Sequence, residues 1–177
     1  MILDLSGVLS EQHTPVGDTV SCSMERIKVG GKFYPLRAKS DVHITVRQVE
    51  DHRLRITGTC RLTVDIPCDR CLTAVPVEFD LDFQREVESP APGTVSEETD
   101  ELDESNYIDG YHLDVDRLLY NEILVGWPMK VLCSESCKGI CSICGQNLNE
   151  GACGCEDMGF DPRMSVIRDV FKNFKEV

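Results

Sequence analysis

Six cysteines crowd into one short stretch near the C-terminal end of this 177-residue chain. They are spaced as Cys133-x3-Cys137-x3-Cys141-x2-Cys144, followed after a gap by Cys153-x-Cys155. A structural zinc ion takes four soft ligands in a tetrahedron, and two thiolates that are two residues apart can reach the same ion. Cys141-Ser142-Ile143-Cys144 is such a pair, and Gly145 allows the tight turn that follows it. The segment from 133 to 155 therefore predicts a structural zinc ion held by four of these thiolates.

The spacing leaves the second pair of ligands open. It is either Cys133 with Cys137 or Cys153 with Cys155, and the tighter Cys-x-Cys spacing favours a single ligand from the latter two. Thiolates also hold iron–sulfur clusters, so the ligand type alone does not choose the metal. A catalytic zinc is disfavoured, because such sites keep a position for water and the segment has no histidine. Unrelated free thiols and a redox-active pair are the remaining alternatives.

A second Cys-x2-Cys pair, Cys68-Asp69-Arg70-Cys71, falls in a predicted turn between two strands. It is interpreted either as a further pair of metal ligands or as two turn cysteines. Cys22 and Cys60 are interpreted as core thiols. No secretory pattern is visible before Arg26, so we expect a cytoplasmic protein whose clustered thiols bind metal rather than form disulfides. The apolar runs are too short to span a bilayer, and no membrane association is expected.

Alternating apolar residues predict an antiparallel sheet in the N-terminal half. The clearest pattern runs from Leu54 to Ile66, and another follows from Val75 to Phe83. Gly30-Gly31 predicts a hairpin between Met24–Val29 and Phe33–Ala38. A meander of antiparallel strands is therefore expected before residue 88.

The periodicity changes after an acidic stretch. Asp114 is predicted to cap a helix from Val115 to Gly126, and Asp161-Pro162 is predicted to begin a last helix. The expected fold class is α+β, an antiparallel β-sheet followed by helices and a Cys-rich zinc knuckle. We expect residues 1–88 to form the sheet part, 89–112 an acidic flexible linker, and 113–177 the helix, the zinc knuckle and the C-terminal helix.

The net charge of −13 is unevenly distributed. From Glu86 to Asp116 there are 11 acids and no base, whereas the other 146 residues carry 20 acids and 18 bases. One set of bases, Arg47, Arg53, Arg55 and Arg61, could face a phosphate backbone, but the favoured interpretation is that acids on the next strand neutralise it: Glu78, Asp80 and Asp82. Five bases around the predicted hairpin are expected to be unopposed by nearby acids, and any contact with nucleic acid is expected to use them: Arg26, Lys28, Lys32, Arg37 and Lys39.

Several motifs in a fixed order resemble those of one known family. They are the Cys68-x2-Cys71 turn, the acidic spacer, Glu122-Ile123-Leu124 with Pro128 after it, Cys137-Lys138-Gly139-Ile140-Cys141-x2-Cys144-Gly145-x2-Leu148-Asn149, Cys153-x-Cys155 and Asp161-Pro162-Arg163. Over nearly its whole length the chain is similar to the YceD-like family, also called large ribosomal RNA subunit accumulation protein. The resemblance implies one YceD-like domain in a bacterial cytoplasmic protein, with relatives in plastids, that supports accumulation of large-subunit ribosomal RNA.

The resemblance brings no catalytic residue with it. The sequence likewise shows no Gly-rich phosphate loop, no Ser nucleophile elbow and no His-plus-acid constellation. We therefore expect a non-enzymatic ribosome-biogenesis factor without a small-molecule substrate, whose partners are ribosomal RNA or large-subunit assembly proteins. Some relatives lack the second cysteine cluster, so zinc is expected to stabilise the tail rather than carry the shared activity. The alternative is a zinc-stabilised adaptor that binds proteins and does not contact RNA.

Overall fold

The computed structural model describes residues 1–10, 14–50, 53–88 and 107–155. Its elements, in chain order, are β1 (Ile2–Asp4), α1 (Ser6–Leu9), β2 (Val16–Ser21), β3 (Arg26–Val29), β4 (Lys32–Lys39), β5 (Asp41–Glu50), β6 (Arg53–Pro67), β7 (Ala74–Glu88), β8 (Ile108–Asp109), β9 (His112–Asp114) and α2 (Val115–Val125). Strands account for 52% of these residues and helices for 11%.

The expected α+β class is therefore wrong, because the described part of the chain is mostly antiparallel sheet with two helices. β6 and β7 are longer than the pattern suggested, and α2 is the only helix longer than one turn among the described residues. The cysteine-rich segment is built from turns, which is compatible with the predicted knuckle. The acidic linker and the last helix, predicted after Asp161, lie outside the described residues for most or all of their length.

The centre of the sheet is the hairpin of β6 and β7, each 15 residues long. The two strands pair from Arg53 with Glu88 to Pro67 with Ala74 without interruption. Even-numbered β6 side chains are buried, as the alternation predicted. Gly58 breaks the apolar series because the Phe83 ring fills its place, and a Cβ atom there would lie 2.5 Å from Phe83 Cζ.

The other edge of β6 is shared by two strands that follow each other in the chain. β5 pairs with the first half of β6 and β4 with the second half. The chain bends between them at Ser40, whose N–H donates to the Arg61 carbonyl at 2.8 Å and whose hydroxyl accepts from the Arg61 N–H at 3.0 Å. β2 then adds to β5 and β3 adds to β4, so the order is β2-β5-β6-β4-β3, with β7 on the opposite edge of β6.

Helix α2 covers the apolar face of this sheet. The Asp114 side chain caps it by accepting hydrogen bonds from two backbone N–H groups of the first turn. Leu118, Leu119 and Ile123 are fully buried in the same apolar cluster as the inner side chains of β5 and β6. Each such burial stabilises the fold by about 1.5–3 kcal/mol. A small sheet of β1, β9 and β8 lies at the beginning of α2.

Two further contacts fix the helix. Glu122, 8% exposed, accepts two hydrogen bonds from the Arg85 guanidinium of β7, at 2.6 and 3.0 Å. Just after the helix, the Trp127 ring packs against the rings of Tyr34 in β4 and Phe79 in β7. The distances between ring centres are 5.1 and 5.9 Å. The chain leaving α2 is therefore directed back toward the far end of the β6–β7 hairpin, where the cysteines lie.

Candidate metal centre

The β6–β7 hairpin ends in the turn that contains Cys68 and Cys71. The Cys68 N–H donates to the Thr73 carbonyl at 2.8 Å, and the Leu72 N–H donates to the Cys68 carbonyl at 2.9 Å. The Arg70 N–H lies 3.5 Å from the Cys68 sulfur. Leu72 closes the turn with φ = 62°, a left-handed conformation that glycine adopts more readily than leucine. The turn holds two cysteines at a rigid hairpin tip.

Cys133 and Cys137 lie against this turn. The Cys71 and Cys133 sulfurs are 3.5 Å apart across 62 residues of chain, and those of Cys68 and Cys137 are 3.8 Å apart across 69. All four sulfurs lie within 4.8 Å of one another. We call Cys68, Cys71, Cys133 and Cys137 the inner cluster; all but Cys133 are buried.

Reciprocal hydrogen bonds hold the Cys133–Cys137 loop on the hairpin tip. The Asp69 N–H donates to the Val131 carbonyl at 2.9 Å, and the Val131 N–H donates to the Asp69 carboxylate at 2.7 Å. Arg70 donates from its side chain to the Cys137 carbonyl at 2.9 Å and accepts at its own carbonyl from Ile140 N–H at 3.1 Å. The loop is therefore positioned by backbone contacts as well as by its cysteines.

Gly139 makes the close approach possible. Its φ is +82°, and a Cβ atom there would lie 3.2 Å from the Arg70 carbonyl oxygen. Any side chain at 139 would be strained in conformation and would push the loop away from the tip. The close approach of the loop to the hairpin tip thus requires a glycine at position 139, between Cys137 and Cys141.

Cys141, Cys144, Cys153 and Cys155 form a second group, which we call the outer cluster, and its sulfurs also lie within 4.8 Å of one another. It is more exposed than the inner cluster, with Cys144 on the surface and Cys153 and Cys155 half-buried. The loop between Cys144 and Cys153 also touches the inner cluster, because the Asn149 side-chain amide donates to the Cys137 sulfur at 3.3 Å. The two clusters are neighbours joined by that amide and by the short Cys137–Cys141 link.

The turn at Cys141 repeats the turn at Cys68. The Cys141 N–H donates to the Gln146 carbonyl at 2.8 Å, and the Gly145 N–H donates to the Cys141 carbonyl at 2.9 Å. The Ile143 N–H lies 3.4 Å from the Cys141 sulfur. Gly145, with φ = 74°, takes the place that Leu72 takes in the hairpin. The same knuckle is therefore built twice, once on a sheet and once in a loop.

Both clusters fit a tetrahedral thiolate site. With a zinc–sulfur bond of about 2.3 Å, the sulfurs at two corners of a tetrahedron are about 3.8 Å apart. The sulfur–sulfur separations of 3.5 and 3.8 Å in the inner cluster match that spacing. Backbone N–H groups and the Asn149 amide are directed at the sulfurs, which favours the thiolate form that a metal requires. Each cluster can hold one metal ion through four sulfurs.

The thiols of each cluster differ in pKa. Burial raises the pKa of Cys68, but N–H groups of Cys71, Arg70 and Cys133 outweigh it and lower the pKa to about 6. Hydrogen bonds to Cys137 and Cys71 raise the pKa of Cys133 to about 12. At neutral pH the inner cluster thus presents a thiolate at Cys68 beside a protonated thiol at Cys133.

The outer cluster shows the same contrast. N–H groups of Cys144 and Ile143 lower the pKa of Cys141 to about 6. The hydrogen bond with Cys144 raises the pKa of Cys155 to about 12. Metal binding at either cluster would therefore release protons.

The structure divides the predicted ligands differently from a single four-cysteine site. It places both Cys153 and Cys155 with the Cys141–Cys144 knuckle, although their tight spacing favoured one ligand. It places Cys133 and Cys137 with the Cys68–Cys71 turn, which the sequence left as an optional pair. Cys22 and Cys60 are buried in the apolar core, and burial raises their pKa values. The sequence did not indicate that Asn149 contacts a cysteine sulfur. Its position at the end of the family motif was the one feature that could have suggested a role.

The five hairpin bases do not share one environment. Arg37 pairs with Asp65 of β6 at 2.9 Å, so the expectation that acids leave it unopposed does not hold. Lys39 donates to the Met24 carbonyl at 3.0 Å. The guanidinium of Arg26 lies 4.5 Å from the centre of the Phe33 ring.

Pairing of the strand arginines with acids on the next strand was expected, and it is present in part: Arg61 and Arg55 pair with acids of β7, whereas Arg53 pairs with Glu50 of β5. Arg61 contacts Asp80 at 3.1 Å, and Arg55 contacts Glu86 at 2.6 Å. These exposed pairs contribute little stability, since surface ion pairs are worth about 0–1 kcal/mol. Their effect is to neutralise the polar face of the hairpin.

Among the described helices, none is long and apolar enough to cross a membrane.

An antiparallel sheet that carries one cysteine knuckle at its central hairpin, with a second knuckle docked beside it, defines a β-sheet protein with two tetracysteine clusters. The family model described as "Large ribosomal RNA subunit accumulation protein YceD" matches residues 56–171, which include both clusters. The chain belongs to the YceD family, as the sequence motifs indicated.

A relative from Zea mays is described as "Large ribosomal RNA subunit accumulation protein YCED homolog 1, chloroplastic". It is 25% identical over 146 residues, which cover 68% of this chain and 50% of the maize protein. The chain thus spans about half the length of that relative. No solved structure matches this chain.

Proposed function

We propose that this chain is a non-enzymatic ribosome-biogenesis factor that supports accumulation of large-subunit ribosomal RNA. The observation that supports this most directly is the family match over residues 56–171. The family description names the accumulation of an RNA and no chemical reaction. The proposed partners are ribosomal RNA or large-subunit assembly proteins, and the proposed location is the bacterial cytoplasm.

We further propose that each cysteine cluster holds one structural zinc ion. Four thiolates complete a tetrahedral site and leave no position for water, so the ion would act as a cross-link and not as a Lewis acid toward a substrate. The inner cluster would fix the hairpin tip to the Cys133–Cys137 loop, and the outer cluster would fix the loop that follows. Elemental analysis of protein purified without added metal should find about two zinc ions per chain; iron with visible absorbance would contradict the zinc assignment.

The cellular function is tested by depletion and rescue. Cells that lack the chain should show a lower ratio of large- to small-subunit ribosomal RNA, and expression of the intact chain should restore it. A chain with the inner cluster removed by Cys68→Ser and Cys137→Ser should rescue poorly, because the hairpin tip loses its attachment. Cys22→Ala is the matched control, since that cysteine lies outside both clusters. An unchanged RNA ratio on depletion would refute the function.

The adaptor alternative is separated from RNA contact by one purification. Affinity capture of the chain, followed by RNA sequencing and mass spectrometry of the same eluate, identifies either kind of partner. Loss of ribosomal RNA at raised salt indicates phosphate contacts, because these contacts release counterions. Assembly proteins that stay bound after RNase treatment would favour the adaptor.

A further inference from the structure

The β3–β4 hairpin carries an exposed aromatic ring among cations. Phe33 is 57% exposed. Lys28 stands directly across the ladder from it, with Nζ 6.0 Å from the ring centre. The guanidinium of Arg26 lies over the ring at 4.5 Å, and Lys32 precedes Phe33 in the chain. Single exposed apolar residues are ordinary on protein surfaces, but a ring flanked by two cations on one ladder is a specific arrangement.

The opposite face of the hairpin is anchored to the protein. Ile27 is 1% exposed, and the ring of Tyr34 packs 5.1 Å from that of Trp127. The Tyr120 hydroxyl of α2 donates to the Lys28 carbonyl at 2.7 Å. Successive side chains of a strand point to opposite faces, so fixing Tyr34 inward fixes Phe33 outward. The exposed ring therefore stands on a held backbone, which lowers the entropy lost on binding.

The charge of this face contrasts with that of the chain. Residues 24–39 contain five bases and a single acid, Glu25, whereas the whole chain has a net charge of −13. Among the residues that the structure describes, no ion pair involves Arg26, Lys28 or Lys32. A local group of unpaired cations on an acidic protein favours a polyanionic ligand at this position.

We propose that this face binds unpaired nucleotides of RNA, with one base stacked on Phe33 and the adjoining phosphates on Arg26, Lys28 and Lys32. The inference rests on the proposed function. It adds where the RNA binds and that the bound nucleotides are unpaired. Unpaired bases can splay out and stack on an aromatic side chain, whereas bases inside a duplex cannot reach it. Stacking tolerates any base, so the site selects unpaired segments and not a sequence.

The test measures binding of the full-length chain to RNA by fluorescence anisotropy at several salt concentrations. The probes are an oligouridylate of about a dozen nucleotides and a duplex RNA of equal length. Phe33→Ala should weaken binding to the single strand roughly 5- to 150-fold, the range seen when a stacking residue is removed. Phe33→Leu should be equally weak although it stays apolar, and Phe33→Trp should bind as well as the wild type.

The cations and the ring should give different signatures. Lys28→Gln should reduce the slope of log affinity against log salt by about 0.7, the value for one phosphate of a single strand. Phe33→Ala should leave that slope unchanged. Tyr111→Ala is the control for an exposed aromatic (49% exposed), and Arg47→Gln is the control for an exposed cation on β5; both should bind as the wild type does.

Three results would overturn the site. They are absence of binding to the single strand, wild-type binding by both Phe33→Ala and Phe33→Leu, or an equal effect of Phe33→Ala on duplex RNA. Circular dichroism and metal content should be unchanged in the Phe33 variants, so that a binding loss is not a folding loss. If Phe33→Ala binds normally while depletion still lowers large-subunit RNA, the site is wrong and the proposed function stands.

Discussion

The inner and outer clusters use the same knuckle but join very different parts of the molecule. The inner cluster connects the tip of the β6–β7 hairpin to a loop that lies 62 to 69 residues further along. The outer cluster closes only the segment from Cys141 to Cys155 and is more exposed. A metal ion in the inner cluster would therefore tie the sheet to the C-terminal loop, whereas one in the outer cluster would shape that loop alone.

This difference has an energetic consequence. The entropy lost on closing a loop grows as 3/2 RT ln n, so a cross-link over 69 residues constrains the unfolded chain by about 1.4 kcal/mol more than one over 14 residues. The inner cluster also has three buried sulfurs and the hydrogen bonds of Asp69 and Arg70 around it. Removal of the inner site should therefore unfold more structure than removal of the outer site.

The largest effect is expected for Cys137→Ser. The Cys137 sulfur is buried and lies near both Cys68 and Asn149, so its loss disrupts the inner site and the contact between the two clusters. We expect the zinc content to fall by about one ion per chain and the free energy of unfolding to fall by several kcal/mol, because metal-binding energy is folding energy here. Amide hydrogen exchange should rise at the hairpin tip and in residues 131–140. Cys22→Ala should keep the full zinc content, and an intact exchange pattern at the tip in Cys137→Ser would contradict the cross-link.

Cys144→Ser should have a smaller and more local effect. It should also remove one zinc ion, but the loop keeps the bridge between Ile140 and Asn147 and the hydrogen bond from the Leu148 N–H to the Gly139 carbonyl. Exchange should rise in residues 141–155, while the β6–β7 hairpin stays protected. Equal destabilisation by Cys144→Ser and Cys137→Ser would erase the distinction between the clusters.

Metal release should separate the clusters in time. Each cluster has one exposed thiol, but the other three inner thiols are buried, whereas Cys153 and Cys155 of the outer cluster are half-buried. A chelator should therefore reach the outer ion first. Mixing the protein with excess chelator and a zinc indicator should show two phases of similar amplitude. In Cys144→Ser only the slow phase should remain. A single phase in the wild type would mean that the two sites release metal together.

The local elements were largely predictable from sequence. The alternation from Leu54 to Ile66 predicted β6, and Asp114 predicted the first turn of α2, because both depend on neighbours within a few residues. The knuckle at Cys141 was predictable for the same reason, because Gly145 directly after Cys144 indicates a tight turn. The error in fold class came from giving the helices more of the chain than they occupy among the described residues.

The long-range pairings could not be read from the sequence. Nothing local to Cys133 indicates that it meets Cys71, because the meeting depends on how Trp127 and α2 direct the chain back to the hairpin tip. Arg37 was expected to be unopposed by nearby acids. Asp65 is 28 residues further along the chain, and the β4–β6 pairing brings the two side chains together. Spacing thus predicts which cysteines are candidate ligands, whereas topology decides how they divide between the two clusters.

The smallest expected effect concerns the residue that closes each knuckle. Leu72 has φ = 62° and Gly145 has φ = 74°, so the two turns place different residues in the same left-handed conformation. For an L-residue with a Cβ atom this conformation costs about 1–2 kcal/mol, whereas a glycine instead loses about 0.5–1 kcal/mol of extra chain entropy. The Leu72 side chain is 64% exposed and contributes little burial. Leu72→Gly should therefore stabilise the protein by up to about 1 kcal/mol, and Gly145→Leu should destabilise it by a similar amount.

The measurement is denaturant unfolding of the zinc-loaded variants, with Leu72→Ala as the matched control. Alanine removes the exposed side chain but keeps the Cβ atom, so it should be near the wild type if backbone strain is the cause. A loss of stability in Leu72→Gly together with an unchanged Leu72→Ala would show that the turn at Cys68 is not strained. The two knuckles would then differ in what holds them, with the sheet enforcing the turn at Cys68 and glycine enforcing the turn at Cys141. Stabilisation by Leu72→Gly would instead mean that glycine is the preferred residue at this position of both turns. The hairpin would then tolerate a leucine there because β6, β7 and the inner cluster hold the turn closed.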